Sequence, residues 1–255
     1  MLDIHCHIIP GVDDGPKTID ETLAMLKIAE EDGVREIIAT PHFYWGHYET
    51  PREIINEKVQ ELNEICEEEK INIKIYAGQE LYLSSKTLEH YEKKLIDTIE
   101  GTNYMLIELN PSKLHKDTFD ILYELKLKGI TPIIAHPERY NYVMEDITIL
   151  NRFIEENSLF QVTAGSIEGN FGSKIKKTAE EIIKYNLCNF IASDGHNLRG
   201  RIPAIRRAIE CVKESNFSSR VLTYEKFSEN YYRNKQIIIE NERVLKRLFK
   251  MLIKN

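Results

Sequence analysis

The sequence predicts an α/β protein built on a parallel sheet that is closed or flanked by helices. Two patterns predict it. Short β-rich runs recur between longer helical stretches, as expected for strand and helix alternation. The 42% hydrophobic and 29% charged residues give the balance of a soluble chain with enough apolar mass for a sizeable core. A length of 255 residues allows two small domains or one large α/β barrel. No stretch reads as a linker, a low-complexity tract or an internal repeat, so one domain over 1–255 is the simpler expectation.

Seven strands are expected, at 2–7, 36–40, 73–77, 104–109, 131–136, 160–163 and 189–193. The first helix starts at Thr18, where Thr18 and Glu21 make a capping-box pattern and Leu23, Leu26, Ile28 and Ala29 supply an apolar face. Thr50-Pro51-Arg52-Glu53 repeats the signal, with Pro51 at the first helical position of a long charged helix. Further helices are expected at about 114–128, 145–157, 174–186 and 203–215. A C-terminal helical segment is expected over about 224–255. Within it, 241–255 alternates Val244, Leu245, Leu248, Met251 and Leu252 with Arg243, Lys246, Arg247 and Lys250. That pattern suits a helix packed on the body, or else a basic face for a partner or membrane surface.

Composition excludes several functions. A formal net charge of -7 argues against a nucleic-acid protein, since phosphate backbones are bound mainly by a surplus of Lys and Arg. No apolar run is long enough to span a bilayer, and the N-terminus MLDIHCHIIPGVDDG carries acids and histidines where a signal peptide carries lysines, so a cytoplasmic protein is expected. Cys6, Cys66, Cys188 and Cys211 form no CxxC pair and are read as reduced, half-buried thiols.

The chemistry falls at the strand ends. His5-Cys6-His7 closes the first strand, and residues two apart share one face, so both imidazoles can reach one metal ion. His42 follows the second strand, Glu80 the third, Glu108 ends the fourth, His136 ends the fifth, and Asp194 and His196 follow the last; Asp14 lies in the loop after the first. Carboxyl ends of parallel strands converge in a barrel, which makes these nine residues one candidate site. Any one histidine there reads equally as a hydrogen-bonded rim residue; the set reads as metal ligands. Nine ligands exceed the roughly four to six of one ion and suit two or three ions sharing a carboxylate, with Glu80 as the bridging candidate. Imidazole and carboxylate without thiolate suit Mn, Fe or Zn better than calcium. Three divalent ions against four carboxylates leave positive charge for an anion such as phosphate. Arg139, after His136-Pro137-Glu138, and Arg201, in DGHNLRGR, are placed to grip phosphate oxygens, with Arg199 as the second choice in that loop. His47, His90 and His115 read as ordinary surface residues. Phe43, Tyr44, Trp45 and Tyr48 either stack on a substrate ring or cap the barrel.

The motifs LDIHCHIIPGVDDGP, IIATPHF, AGQELY, IELN, PIIAHPERY and ASDGHNLRGR resemble the PHP (polymerase and histidinol phosphatase) family. More narrowly, they resemble the bacterial manganese-dependent protein tyrosine phosphatases of capsule and exopolysaccharide systems. The resemblance runs from residue 2 to about 205. It implies a distorted (β/α)7 TIM-like barrel and a trinuclear manganese site on the nine residues, with Arg139 and Arg201 binding phosphate. It further implies, as substrate and partner, the phosphotyrosine tail of a bacterial tyrosine kinase. Hydrolysis without a covalent enzyme intermediate is expected, because no cysteine is followed six positions later by arginine. The rival readings are phosphatase activity on a small phosphomonoester such as histidinol phosphate, and a non-catalytic kinase-binding module with structural metals.

Overall fold

The structure is a computed structural model and describes residues 1–213; the expected helical segment at 224–255 lies outside the described residues. The chain begins with β1 (Leu2–Cys6) and α1 (Ile19–Glu31). A second strand path follows in two pieces, β2 (Glu36–Ala39) and β3 (His42–Tyr44), then the short β4 (Tyr48–Glu49) and α2 (Arg52–Glu68). The third path is also split, into β5 (Lys74–Ala77) and β6 (Glu80–Tyr82), before α3 (Thr87–Glu92). After β7 (Tyr104–Glu108), α4 (Thr118–Leu127) and β8 (Thr131–Ala135) come α5 (Asn141–Glu145), α6 (Leu150–Glu155) and β9 (Leu159–Thr163). The described chain ends with α7 (Ala164–Glu168), α8 (Ser173–Lys184), β10 (Phe190–Ala192) and α9 (Arg206–Lys213).

All seven expected strands are present, arranged as two sheets in place of one continuous ring. One sheet has the order β1-β2-β5 and the other β10-β9-β8-β7-β6-β3-β4, with every pairing parallel except β3 with β4. The split has a local cause. Pro41 lacks an N–H to give to the ladder. At Gly78 a Cβ would sit 2.7 Å from Ile38 Cγ2, so the third path passes that point close to its neighbour. Gly78 N donates to Ala39 O at 2.8 Å and Glu80 N to Pro41 O at 3.0 Å, which keeps the two broken paths side by side. At the opposite margin, Cys6 makes a single parallel bridge to Gly195, with His7 N donating to Gly195 O and Asp194 N to His5 O, each at 2.8 Å.

The core follows from strands buried on both faces, which read as near-continuous apolar runs. Ile4, Ile37, Ile38, Leu106, Ile107, Ile133, Ile134 and Val162 are almost wholly buried in it.

Thr18 caps α1, its hydroxyl accepting from Glu21 N, while Glu21 reaches back to Lys17 N. The second capping signal does not form. Helix α2 starts at Arg52, Pro51 stands before it with no side-chain cap, and Arg52 N is satisfied by Leu95 O from the neighbouring loop. The helix expected at 145–157 is shorter, because Asp146 accepts from Thr148 N and turns 147–149 into a 3-10 segment ahead of α6. Cys6, Cys66 and Cys188 are fully buried and Cys211 is exposed, so half-burial describes none of them. His90 is buried against Phe43 and Trp45, contrary to its expected place on the surface, because α3 lays its ring across the aromatic loop.

Candidate metal centre

The nine expected ligands converge in one pocket at the carboxyl ends of the strands. His5 belongs to β1, His42 opens β3, Glu80 opens β6 and Glu108 closes β7, while His7 and His136 directly follow β1 and β8 and Asp194 and His196 lie in the loop after β10. His136 and Asp194 have positive φ, 34° and 52°, a conformation uncommon for residues with a Cβ and concentrated at functional sites. Three overlapping groups place their donor atoms within 4.8 Å of one another: His7, Asp14, His42 and His196; His5, His7, Glu80 and Asp194; His42, Glu80 and Glu108. Their shared members are His7, His42 and Glu80. His136 is outside these groups and lies against them, its Nε2 at 3.0 Å from Glu80 Oε1.

The tautomers of three histidines are set by acceptors. His7 Nδ1 donates to Asp13 Oδ2 at 2.7 Å, His5 Nδ1 to Gln161 Oε1 at 2.9 Å, and His196 Nδ1 to Asp194 O at 2.9 Å. Each imidazole therefore turns its Nε2 inward, where it can hold a cation once any proton on it is displaced. His5 Nε2 and His7 Nε2 lie 3.1 Å apart. Glu80 Oε2 lies 3.1 Å from the first, 3.2 Å from the second and 3.2 Å from His42 Nδ1. Glu80 Oε2, His42 Nδ1 and His196 Nε2 are buried without a hydrogen-bond partner. Lone pairs packed this closely repel unless protons or cations stand among them, so the donor set fits divalent metal ions.

The charge balance points the same way. Burial, then the charges of Glu80 and Asp194, push the Glu108 carboxyl up to about 9. Burial pulls the His7 imidazole down, but the charge and hydrogen bond of Asp13, with help from Glu80, lift it to about 10. Burial raises Asp13, and His7 more than offsets this, holding it at about 2. His196 falls to about 4 through burial and the charge of His7. A pocket that keeps a carboxyl and an imidazole protonated near neutrality has more negative charge than its own cations balance.

The two arginines meet at Asp194. Arg139 Nη1 lies 2.5 Å from Oδ2 and Arg201 Nη2 lies 2.6 Å from Oδ1. Arg139 Nε and Nη2 and Arg201 Nε are buried without acceptors. Arg139 also stacks on Phe171, its guanidinium carbon 4.4 Å from the ring centroid. Arg199 is exposed at the tip of its loop.

Residues behind the pocket escaped the sequence reading. Asp13 orients His7 and accepts from His42 N, so of the adjacent pair Asp13-Asp14 one acid positions a histidine while the other faces the pocket. Gln161 orients His5 from β9, and the buried Asp3 holds Ser193 through its hydroxyl and backbone N. The VDDG motif carried a signal for Asp13; nothing in the sequence marked Gln161. In the aromatic loop Phe43 is buried, Tyr44 stacks on Tyr82 at 4.1 Å, Trp45 is exposed, and Tyr48 lies parallel to His42 at 6.0 Å. His47 and His115 are exposed, as expected.

A family model described as capsular polysaccharide synthesis, CpsB/CapC, matches residues 1–240. CapC of Staphylococcus aureus is 36% identical over 249 residues, covering 97% of this chain and 94% of that protein. Tyrosine-protein phosphatase YwqE of Bacillus subtilis is 34% identical over 221 residues, covering 87% of each. A structure from work on YwqE of Bacillus subtilis and CpsB of Streptococcus pneumoniae, described there as metal-dependent tyrosine phosphatases, superposes with a TM-score of 0.82. It is 32% identical to this chain and covers 93% of this chain and 95% of that one. The chain belongs to the capsular polysaccharide synthesis CpsB/CapC family.

Proposed function

We propose that this protein is a metal-dependent protein-tyrosine phosphatase that hydrolyses phosphotyrosine on a partner bacterial tyrosine kinase and so regulates capsule or exopolysaccharide synthesis. The carrying observation is the meeting of the inward-facing Nε2 atoms of His5 and His7 with Glu80 Oε2, all about 3 Å apart, a donor set that divalent cations would hold together once the protons there are displaced. The family's tyrosine phosphatases supply the substrate class.

In this reading His5, His7, Asp14, His42, Glu80, Glu108, His136, Asp194 and His196 would hold divalent ions, three of them and manganese by family resemblance. Bound divalent ions supply Lewis acidity to phosphoryl oxygens and lower the pKa of water in their shell. Arg139 and Arg201 orient the phosphate through their free N–H groups, kept rigid by Asp194. The phenolate of tyrosine, with a pKa of about 10, departs with little proton assistance, so no general acid is required. A cysteine route is disfavoured, since burial raises the Cys6 thiol well above its ordinary value.

The two sheets are read as one distorted (β/α)7 barrel of the PHP type, interrupted at Pro41 and Gly78, within a single cytoplasmic domain spanning 1–255. Among the described residues no helix is long and apolar enough to cross a membrane.

The test is a substrate panel of phosphotyrosyl peptide, histidinol phosphate and a nucleic-acid phosphodiester. Preferential hydrolysis of the peptide is expected. Preference for histidinol phosphate would move the substrate assignment, and absence of any turnover would favour a non-catalytic kinase-binding role.

A further inference from the structure

Beside the metal-ligand pocket lies a separate cavity of about 370 Å³. Asp14 and His196 form the wall it shares with that pocket, and both belong to the same donor group as His7 and His42. Its apolar lining comes from the buried Pro16, from Met25 of α1 and from Leu198, 41% exposed, with Lys17, Glu21 and Asn197 also bordering it. Arg199 stands at the rim.

Both walls are braced. Gly11 N donates to Pro16 O at 2.9 Å across the first loop. His196 N and Asn197 N both donate to Arg201 O, at 2.8 and 3.1 Å, closing the second loop into a tight turn. That turn presents Leu198 at its tip and Arg201, paired with Asp194, at its base. The same short segment therefore carries a candidate phosphate-gripping arginine and the entrance to an apolar cavity.

We infer that this cavity is a specificity subsite for an apolar side chain flanking the phosphotyrosine in the substrate peptide, a conclusion that rests on the phosphatase reading above. Three features select that occupant. Most of the lining surface is apolar despite the charged residues among its walls, which suits an apolar side chain, and the volume falls in the range of small-ligand pockets. The cavity adjoins the metal-ligand pocket at Asp14 and His196, so a group seated in it lies close enough to be part of the reacting molecule. Neither Arg139 nor Arg201 lines it, which separates its occupant from the phosphate by the width of the Asp14 and His196 wall. The phosphorylated ring, bonded to that phosphate, stays on the arginine side, and a neighbouring residue about 3.3–3.6 Å further along the extended peptide reaches across. A substrate lacking a flanking residue gains nothing from the cavity.

The experiment compares three substrates on the full chain loaded with Mn2+: p-nitrophenyl phosphate, a phosphotyrosyl peptide with glycine on both sides, and the same peptide with leucine on both sides. The leucine peptide is expected to have a kcat/KM about tenfold above the glycine peptide, the usual discrimination of an apolar pocket. Leu198→Asp, at an exposed position outside the ligand set, is expected to remove that preference while p-nitrophenyl phosphate turnover stays within about twofold of the parent. Equal rates on the two peptides, or an equal loss on all three substrates in Leu198→Asp, would overturn the subsite and leave the phosphatase reading standing. No turnover of any substrate by the parent would overturn both.

Discussion

Asp13→Asn isolates the groups behind the proposed ligands. The buried Asp13 carboxylate accepts three hydrogen bonds, from His7 Nδ1 at 2.7 Å and from the backbone N of His42 and of Gly15, each at 2.9 Å. Asparagine keeps the shape but has one oxygen, so its amide nitrogen must face at least one of these N–H groups. The lost negative charge also weakens the hold on the Nδ1 proton and makes His7 Nε2 a poorer donor to a cation. A hydrogen bond to a charged group contributes about 1.5–3 kcal/mol. That range agrees with the 10–100-fold loss of metal affinity, about 1.4–2.8 kcal/mol, typical when a histidine's second partner is removed. The assay is calorimetric titration of the chelator-stripped protein with Mn2+, with Asp20→Asn as the control for loss of one exposed acid. Affinity within about twofold of the parent in Asp13→Asn would refute the orienting role.

Three further outcomes follow from the same geometry. Arg139→Lys keeps a positive charge for Asp194 but loses the fork, so kcat/KM for phosphotyrosyl peptide should fall about 100-fold in steady-state assays while the thermal midpoint changes little. Cation uptake should release protons at pH 7.5: His7 and Glu108 have values raised to about 10 and about 9, so both bind protons in the cation-free pocket and lose them on ligation, and apparent affinity should climb with pH through that range. Calorimetry in buffers of different ionisation enthalpy checks this. His196, already neutral at that pH with its value lowered to about 4, should contribute none. Trp45→Ala should leave KM for phosphotyrosyl peptide within about twofold, because Trp45 packs on His90 and Lys86 while Tyr48 is the loop ring that lies against His42.

Much of this architecture was legible in the chain. The strands were readable because most are short runs buried on both faces, and the polar residues interrupting the pattern at their carboxyl ends are the ones that meet in the pocket. Less legible was anything that depends on a neighbour far away in sequence. Pro41 and Gly78 are visible, yet their effect on the ladder emerges when the two paths lie side by side. Thr50 looks like a cap, but the Leu95 carbonyl, remote in sequence, already satisfies Arg52 N. Asp13 and Asp14 are chemically identical neighbours, and their different roles depend on the turn at Gly15, where a Cβ would come within 2.9 Å of His7 O. The pairing of Arg139 and Arg201 with one carboxylate joins loops that follow different strands, and no spacing rule reports it.

Cations held among His5, His7 and Glu80 are the basis of the proposed catalysis. The direct measurement is elemental analysis of the purified full chain, paired with phosphotyrosyl-peptide hydrolysis before chelation, after chelation and after return of Mn2+. More than one divalent ion per chain, with turnover lost on stripping and regained on reloading, is the expected result. A fully active preparation free of bound divalent ions would contradict it.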